Sequence, residues 1–530
     1  MSRRALIVRV RWMLIRLCLV GCISLLFIGR VDAACTGSSP TWASTPDRAS
    51  VASCVSSSVN GDAVTISAGD GDETWPSAVT ISGKDLTIVG PGATNLIIRD
   101  FAINLIDSGS RITGFRFELG ASGQISITAS QGFRYDHNTI NATPWHICWN
   151  LVGNQGTRTT FGNEGLIDHN TIVDCRFTSY GEEGSGFGGS DRWLEANTIG
   201  TSHTVYLEDN TYSIGTCTQG GTGILCNFTD ANYGGSYVAR FNTVNNSYFE
   251  GHPTSGNIRG MRFAEVYGNN LTFTFPDGFC HVGLYYTGQL LFFNNTASQA
   301  CSPTDEPNRI DINWHDGDNR GTMGACTGSN FVDSNELGNG WLCRDQPGAS
   351  GDATYWKFAD GAPAPAQTKA PYYIWNNPFP SGNVLIKSSD TARIASDRDF
   401  FLSASGIQVS SSSPFNGTTG TGWGTIARLP ATCTTGVGYW ATDEGEWNST
   451  NGATPDGRLY RCTSTNTWTL YYTPYTYPHP LQGGAPPPPP TPGRPRLRFK
   501  IANLISLSGA FLALAWITRG AHASRFRRTQ

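Results

Sequence analysis

The phrase Asp136-His137-Asn138-Thr139-Ile140 returns as Asp168-His169-Asn170-Thr171-Ile172, and this repeat decides the expected fold. Further copies are Glu195-Ala196-Asn197-Thr198-Ile199, Glu208-Asp209-Asn210-Thr211-Tyr212, Arg240-Phe241-Asn242-Thr243-Val244, Tyr267-Gly268-Asn269-Asn270-Leu271 and Phe292-Phe293-Asn294-Asn295-Thr296. The asparagines at 138, 170, 197, 210, 242, 269 and 294 are 32, 27, 13, 32, 27 and 25 residues apart. Repeats of this kind are typical of stacked solenoid units. Each copy predicts a short strand, a turn at the asparagine and a second short strand.

The composition favours an all-β solenoid. The chain has 530 residues, 15% of them charged, and long amphipathic helical patterns are nearly absent. Many short β-branched runs between glycines and asparagines are typical of strands, and a solenoid can use this length as one domain. The formal net charge of −4, with scattered lysines and arginines, does not indicate nucleic-acid binding.

Both ends of the chain predict an exported protein. Five arginines precede an apolar run over residues 17–28, which predicts a signal peptide over residues 1–33. A proline-rich linker over 483–500 leads to a mostly apolar segment over 501–518 and a basic tail over 519–530. The apolar segment predicts a membrane anchor or sorting signal with the tail in the cytoplasm. A disordered tail with an apolar patch is the alternative.

Twelve cysteines follow the predicted signal peptide. An even number in an exported chain predicts disulfides. Pairing of nearest neighbours gives Cys35–Cys54, Cys148–Cys175, Cys217–Cys226, Cys280–Cys301, Cys326–Cys343 and Cys433–Cys462. The spacing of Cys148 and Cys175 is close to one repeat, so this pair is expected to join adjacent coils.

Short strands begin at residue 63, after residues 34–62, which are expected to cap the first coil with a short helix. The runs Leu86-Thr87-Ile88-Val89-Gly90-Pro91-Gly92 and Ile112-Thr113-Gly114-Phe115, with the Asn-Thr-Ile copies, resemble the right-handed parallel β-helix proteins of the pectate-lyase-like superfamily. The resemblance implies an all-β, right-handed parallel β-helix over residues 63–400. It also implies that the repeated asparagines form a stacked structural ladder.

Residues 401–482 change in style and predict a β-hairpin module tied by Cys433–Cys462. The closing run, residues 475–480, resembles the ending of exported bacterial β-helix proteins of unassigned activity. One fold hosts many activities, so function has to be argued from individual sites.

A column of outward-facing residues is predicted two positions before each asparagine, because side chains alternate along a strand. This column reads Asp136, Asp168, Glu195, Glu208, Arg240 and Tyr267, and Asp209 lies one position before its asparagine. Stacked strands lie about 4.8 Å apart, so carboxylates on successive coils would be neighbours. We interpret Asp136, Asp168, Glu208 and Asp209 as candidate substrate-binding residues. Trp193 is a candidate for stacking on a sugar, with core packing as the alternative.

A second group contains His252, Arg259, Arg262 and Glu265, and parity places Glu265 near Arg240 on the preceding coil. The resemblance implies lyase chemistry on an acidic glycan, in which calcium neutralises the sugar carboxylate and an arginine or lysine removes a proton. Arg240, Arg259 and Arg262 are then the candidate bases. A structural Arg–Glu salt bridge between coils is the alternative.

A third group, Asp311, Asp316 and Asp318, surrounds a glycine and offers the oxygen ligands that calcium prefers. A simple Asp/Gly turn is the alternative. The glycosidases of the same superfamily are matched poorly, since no clean pair of catalytic carboxylates is found. The sequence therefore predicts an exported β-helix protein that acts on or binds polysaccharide, with a non-catalytic adhesin or glycan-binding scaffold as the second hypothesis.

Overall fold

The structure is a computed structural model of the chain. It describes residues 35–483 apart from 70, 154–161, 181–197, 216–218, 221–222, 225–226, 233, 252–260, 275–280, 287, 299–308, 313–369, 380–384, 389–393, 404–413 and 453. For residues 144–146, 219–220, 223–224, 281 and 385–388 it describes the backbone alone. The predicted signal peptide, most of the proline-rich linker, the apolar segment and the basic tail lie outside these residues.

The first of three long strand rows, sheet 1, contains thirteen strands. In spatial order they are β1 (Cys35–Ser38), β2 (Thr41–Ser44), β3 (Ala63–Ile66), β6 (Thr87–Val89), β9 (Arg111–Thr113), β12 (Gln131–Asp136), β14 (Glu164–Asp168), β16 (Val205–Glu208), β21 (Ser236–Arg240), β24 (Phe263–Tyr267), β27 (Gln289–Phe293), β30 (Tyr372–Trp375) and β32 (Phe400–Leu402). Only β1 and β2 pair antiparallel within this sheet.

The other two rows belong to one 17-stranded sheet, and we call them sheets 2 and 3. Sheet 2 contains β4 (Glu73–Thr74), β7 (Ile98–Asp100), β10 (Arg116–Leu119), the starts of β13 (Thr139–Val152) and β15 (Thr171–Tyr180), β17 (Thr211–Ser213), β22 (Thr243–Asn245), β25 (Asn270–Thr272) and β28 (Thr296–Ser298). Sheet 3 contains β5 (Val79–Ser82), β8 (Ile103–Ile106), β11 (Ile125–Thr128), the ends of β13 and β15, β20 (Asn227–Asn232), β23 (Tyr248–Gly251), β26 (His281–Tyr285), β29 (Arg309–Ile312) and β31 (Leu385–Ser388).

Each coil contributes one segment to each row, and the rows pair in parallel from coil to coil. Side chains alternate, so every second residue enters a continuous apolar interior. That interior includes Ile167 from sheet 1, Ile172 from sheet 2 and Phe177 from sheet 3. The predicted all-β parallel β-helix is therefore confirmed.

The asparagine ladder runs unbroken through seven coils. It consists of Asn138, Asn170, Asn210, Asn242, Asn269, Asn295 and Asn377, all buried. In each step the side-chain oxygen of one asparagine accepts from the backbone and side-chain N–H groups of the asparagine before it, as Asn170 does from Asn138 at 2.9 and 3.1 Å. The residue before each asparagine has a positive φ, for example 54° at His137.

Two positions of the repeat need comment. The ladder passes directly from Asn170 to Asn210, which agrees with the sequence interpretation that the 13-residue step between residues 197 and 210 is too short for a coil; Asn197 lies outside the described residues. In the last copy of the repeat the ladder residue is Asn295, whereas Asn294 occupies the turn position with φ 54° and pairs with Asn376. Two consecutive asparagines fit the sequence pattern equally well.

The N-terminal cap contains the predicted helix, α1 (Arg48–Ser57), which begins after Asp47. The Asp47 side chain accepts from the Ser50 N–H at 2.9 Å, which satisfies one of the free donors at the helix start. Val51, Cys54 and Val55 of the helix are buried in the interior of the first coil. The predicted disulfide Cys35–Cys54 ties the helix to β1.

The C-terminal module is a four-stranded sheet of β33 (Thr421–Gly424), β34 (Gly438–Ala441), β35 (Arg458–Ser464) and β36 (Thr467–Tyr472). The predicted disulfide Cys433–Cys462 is present. Cys148–Cys175 joins β13 to β15 on adjacent coils, as predicted. The other six cysteines lie outside the residues whose side chains are described. A short antiparallel pair, β18 (Gln219–Gly220) and β19 (Gly223–Ile224), and two 3-10 turns, Ile426–Arg428 and Pro480–Gly483, complete the elements.

Within the described part of the chain, no helix has the length and apolar character to cross a membrane. The predicted anchor over residues 501–518 lies outside that part.

The ladder predicts a difference between two adjacent asparagines. Asn269→Ala should destabilise the protein by about 2–4 kcal/mol, because buried backbone groups of Ala239 and Asn242 lose their partners at about 1–3 kcal/mol each. Asn270→Ala, at an exposed position on β25, should change stability by less than about 0.5 kcal/mol. Denaturant unfolding measures both. Equal losses would show that the ladder contributes no special stability.

Candidate functional site

The predicted outward column exists on sheet 1. Strand register aligns Asp136 with Asp168, Asp168 with Glu208, Glu208 with Arg240 and Arg240 with Tyr267. The residues one position earlier, Tyr135, Ile167, Leu207, Ala239 and Val266, lie in the β-helix interior. The column therefore faces away from the interior, and its carboxylates are neighbours on successive coils.

The column is not open to solvent, which corrects the expectation of an exposed face. Asp136, Asp168, Glu208 and Arg240 are each 0% exposed. Residues 472–482, which begin with the last residue of β36 and which we call the closing segment, contact this column. The covering residues are more than 230 positions later in the chain than Arg240.

Arg240 is held on several sides. Its guanidinium pairs with Glu208 at 2.7 Å and donates to the Tyr267 hydroxyl at 2.9 Å. It also donates to the backbone carbonyls of Tyr475 at 2.6 Å and Thr476 at 2.8 Å in the closing segment. These contacts favour the structural salt bridge between coils over the role of a catalytic base.

The closing segment also donates hydrogen bonds to the acidic groups beside Arg240. Glu208 accepts from the backbone N–H of His479 at 2.8 Å and from the amide of Gln482 at 2.6 Å. Asp209 accepts from the Tyr477 hydroxyl at 2.9 Å and from Gln482 at 3.0 Å. Burial, with the charges of Arg240 and Arg134, lowers the pKa of His479 to about 3, so its imidazole is neutral.

The remaining two carboxylates of the column form fork-like pairs with arginines. Arg111 binds Asp136 at 2.8 and 2.7 Å, and Arg134 binds Asp168 at 2.9 and 2.8 Å. Arg134 also donates to the Leu481 carbonyl at 2.9 Å. Burial alone raises the pKa of Asp136, but hydrogen bonds from Arg111 and the charge of Arg134 lower it overall, so this carboxylate is ionised.

Glu265 lies close enough to Arg240 for the arginine's charge to lower its pKa, as its predicted position implies, but the two residues are not a pair. Glu265 aligns with Val238, and the carboxylate that pairs with Arg240 is Glu208. Its oxygens accept from the Tyr472 hydroxyl at 2.5 Å and from the Gly200 N–H at 2.7 Å. Complete burial raises the pKa of Glu265 to about 7, even though both hydrogen bonds lower it.

Further along sheet 1 the outer face becomes aromatic. Tyr267, Phe293 and Trp375 stack in turn, with ring centroids 4.6 and 4.3 Å apart. Trp440 of the C-terminal module packs on Phe293 and Trp375 at 5.1 and 5.2 Å. The module therefore covers an apolar half of this face, and the closing segment covers a charged half.

The other predicted catalytic and binding residues are distributed as follows. Arg262 is buried on the coil that contains Glu265, and its backbone N–H donates to the Gly235 carbonyl at 2.8 Å. His252, Arg259 and Trp193 lie outside the described residues. The structure thus brings together Arg240, Glu208 and the closing segment. Of the second predicted group, it describes only Arg262 and Glu265.

The predicted calcium group is represented by Asp311 alone, because Asp316 and Asp318 lie outside the described residues. Asp311 pairs with Arg309 at 2.6 Å, and a carboxylate that neutralises an arginine is a poor calcium ligand. No cluster of three or more His, Cys, Asp or Glu suited to a metal occurs among the residues that the structure describes. The predicted calcium site as a whole stays a prediction.

The histidines of the first two repeats are the exposed members of the motif. The side chains of His137 and His169 are 59% and 42% exposed, whereas the neighbouring Asp136 and Asp168 are buried. The two rings are parallel, with centroids 5.1 Å apart.

A second exposed array lies on sheet 2, where no site was predicted. Its residues align across six coils in two columns: Thr139, Thr171, Thr211, Thr243, Asn270 and Thr296, and Asn141, Val173, Ser213, Asn245, Thr272 and Ser298. All are exposed or half-buried, and none is charged. The array could have been recognised in the sequence from the threonine that follows most ladder asparagines. Alternation of side chains along the strand places this threonine outward.

Comparison of the chain with protein-family models, curated proteins and solved structures finds no match. Strand pairing alone therefore establishes the parallel β-helix.

Removal of the buried arginine should destabilise the protein. Arg240→Met is expected to lower the free energy of unfolding by about 3–5 kcal/mol, because Glu208 is left as a buried charge without its cation. Arg99→Met is the matched control, since Arg99 pairs with Asp72 and Glu118 between coils but is exposed, so its loss should change the free energy of unfolding far less. Unchanged stability of Arg240→Met would restore the catalytic interpretation.

Glu265 should give a measurable pH dependence. Its folded pKa of about 7 lies above the ordinary 4.5, so the folded state binds the proton more tightly than the unfolded state. The stabilisation is present below about pH 4.5 and is lost as pH rises to about 7, by about 3 kcal/mol at most.

The test compares wild type with Glu265→Gln by denaturant unfolding across this range. The variant should become relatively more stable as pH rises. The difference between the two proteins isolates Glu265 from His479, whose lowered pKa acts in the opposite direction. A difference that is constant with pH would contradict the raised pKa.

Proposed function

We propose that this chain is an exported, non-catalytic glycan-binding scaffold with a pectate-lyase-like β-helix. The observation that carries the proposal is the burial of Arg240, Arg262 and Glu265, the candidate lyase residues that the structure describes. Arg240 and Glu265 are both 0% exposed, and each is hydrogen-bonded to the closing segment or to Tyr472 at its start. A polymer chain cannot reach either residue while that segment is in place.

The array on sheet 2 is the surface that suits glycan contact. Its hydroxyl and amide groups are about 4.8 Å apart between neighbouring strands and about 6.6 Å apart along one strand, where every second residue faces outward. They can donate to and accept from sugar hydroxyls, and the threonine methyl groups can contact the apolar faces of the rings. The array contains no charged residue from β13 to β28, so a neutral polysaccharide fits it better than an acidic one.

Lyase action on an acidic glycan is the second candidate. It is supported by the resemblance to the pectate-lyase-like superfamily and by an arginine beside carboxylates, the arrangement around Arg240. It requires the closing segment to leave sheet 1. Of the three predicted calcium ligands, Asp311 is paired with Arg309, so Asp316 and Asp318, which lie outside the described residues, would have to contribute most to binding calcium.

Export is supported by the disulfides Cys35–Cys54, Cys148–Cys175 and Cys433–Cys462, since such bonds persist in oxidising compartments. We place the protein at the cell surface, with residues 501–518 as its membrane attachment. The array on sheet 2 is then available to polysaccharide outside the cell.

Binding should depend on the array. In pull-down assays with insoluble neutral polysaccharides such as cellulose and chitin, wild type should bind, and Thr171→Arg and Thr211→Arg should bind much less because a long charged side chain interrupts the flat surface. Thr467→Arg, at an exposed strand position of the C-terminal module, is the control and should bind as wild type does. Equal binding by all four proteins would exclude the array as the contact surface.

A second assay distinguishes lyase action from the non-catalytic scaffold. The unsaturated product of lyase action absorbs in the ultraviolet, and pectate, alginate and glycosaminoglycans should give no such product, with or without calcium. Product formation that is lost in Arg240→Met at a temperature where this variant is folded would replace the scaffold proposal with the lyase.

A further inference from the structure

The array on sheet 2 is regular in two directions. The register of its two columns continues without a shift from β13 to β28, so each outward residue has an outward neighbour on the next coil. One buried residue separates the columns on each coil, for example Ile172 between Thr171 and Val173. Outward groups therefore lie about 4.8 Å apart between strands and about 6.6 Å apart along a strand. The array is a two-dimensional lattice of side chains.

Hydrogen bonds hold several of these side chains in position. Asn245 donates to the Ser213 hydroxyl at 3.0 Å, and Thr296 donates to the Asn270 amide oxygen at 3.0 Å, in both cases across adjacent coils. The threonines are β-branched, which restricts their side-chain rotamers. A surface that is ordered before binding loses little conformational entropy when an ordered ligand contacts it.

Charge is absent from the array and begins at its upstream edge. Arg116 and Glu118 of β10 align with Thr139 and Asn141, the first residues of the two columns, and pair with each other at 2.7 Å. Charged groups are strongly hydrated and are rejected by growing ice, whereas neutral hydroxyl groups can take the place of water molecules in its hydrogen-bond network. The six coils from β13 to β28 therefore offer an uncharged surface about 24 Å long, at about 4.8 Å for each of five steps.

We propose that the sheet 2 array binds ice. Water oxygens at the faces of an ice crystal repeat on the same scale as the groups of the array, so one crystal face can meet many array groups at once. Thr171, Thr211 and Thr243 lie on three consecutive coils. Each presents a hydroxyl, which hydrogen-bonds water, and a methyl group, beside which water has restricted orientational freedom. The asparagine ladder keeps the spacing of these coils constant.

The exposed position of the array suits a solid ligand. Four of its residues from four different coils are exposed, namely Thr171, Thr211, Asn270 and Thr296. Each contact with the crystal is weak, but the contacts form together because the crystal and the array are both periodic. Glycan binding by the same surface is a separate property, since a polysaccharide supplies its own hydroxyl groups and does not require a lattice of water.

Slow growth of ice from a dilute solution of the full-length protein tests the proposal, because ice rejects solutes that do not bind it. Wild type should be enriched in the ice fraction. Thr211→Arg should be lost from that fraction, because a long charged side chain at the centre of the array keeps the crystal face away. Thr467→Arg is the matched control, since it places the same side chain at an exposed position of β36, and it should enter the ice as wild type does. Equal thermal unfolding of the three proteins excludes loss of folding as the cause.

A second readout is the size of ice crystals in an annealed frozen solution. Wild type and Thr467→Arg should keep the crystals small, and Thr211→Arg should not. Exclusion of wild type from the ice fraction, or equal enrichment of Thr211→Arg, would overturn the proposal. The polysaccharide assay gives an independent result. Wild type that binds cellulose or chitin but not ice retains the glycan function and loses ice binding, and wild type that binds ice alone retains ice binding and loses the glycan function of the array.

Discussion

The side-chain amide of the ladder asparagine is the interaction on which the rest of the molecule depends. Asn170 accepts the backbone N–H of Asn138 and donates to the Tyr135 carbonyl at 2.9 Å, so one side chain satisfies backbone groups at a turn that cannot pair them otherwise. Because the seven coils from Asn138 to Asn377 are held by the same contact, these coils share one register. Columns of like residues, such as Asp136, Asp168 and Glu208, exist only because that register is preserved.

The local pattern predicted the direction of side chains correctly but not their exposure. Alternation placed Ile167 and Leu207 inside and Asp168 outside, and each lies on the predicted side. Burial of the outer face depends on the closing segment, which reaches Arg240 from 235 residues away, and no local pattern reports such a contact. The available signal was the outward aromatic residues, since Tyr267 and its stacking neighbours would be unfavourable in water.

The same motif supplies two kinds of residue with opposite fates. Its aspartates pair with arginines of the preceding coil, and these pairs join adjacent coils. Arg134, the partner of Asp168, also binds the closing segment. Its histidines and threonines face solvent on the turn edge and on sheet 2. The charged residues, which suggested chemistry when read from the sequence, therefore hold the closing segment on sheet 1. The histidines and threonines of the motif form the accessible surface.

Sheet 1 and the residues that cover it lie far apart in the sequence, so they are synthesised at different times. Arg240 and its coil emerge and can stack long before residues 475 and 476 leave the ribosome. During that interval the stacked rings of Tyr267, Phe293 and Trp375 face water on a nascent chain, where they are prone to aggregate. The protein thus exposes this aromatic surface until Trp440 and the rest of the C-terminal module arrive, and truncation before residue 421 would leave that surface uncovered permanently.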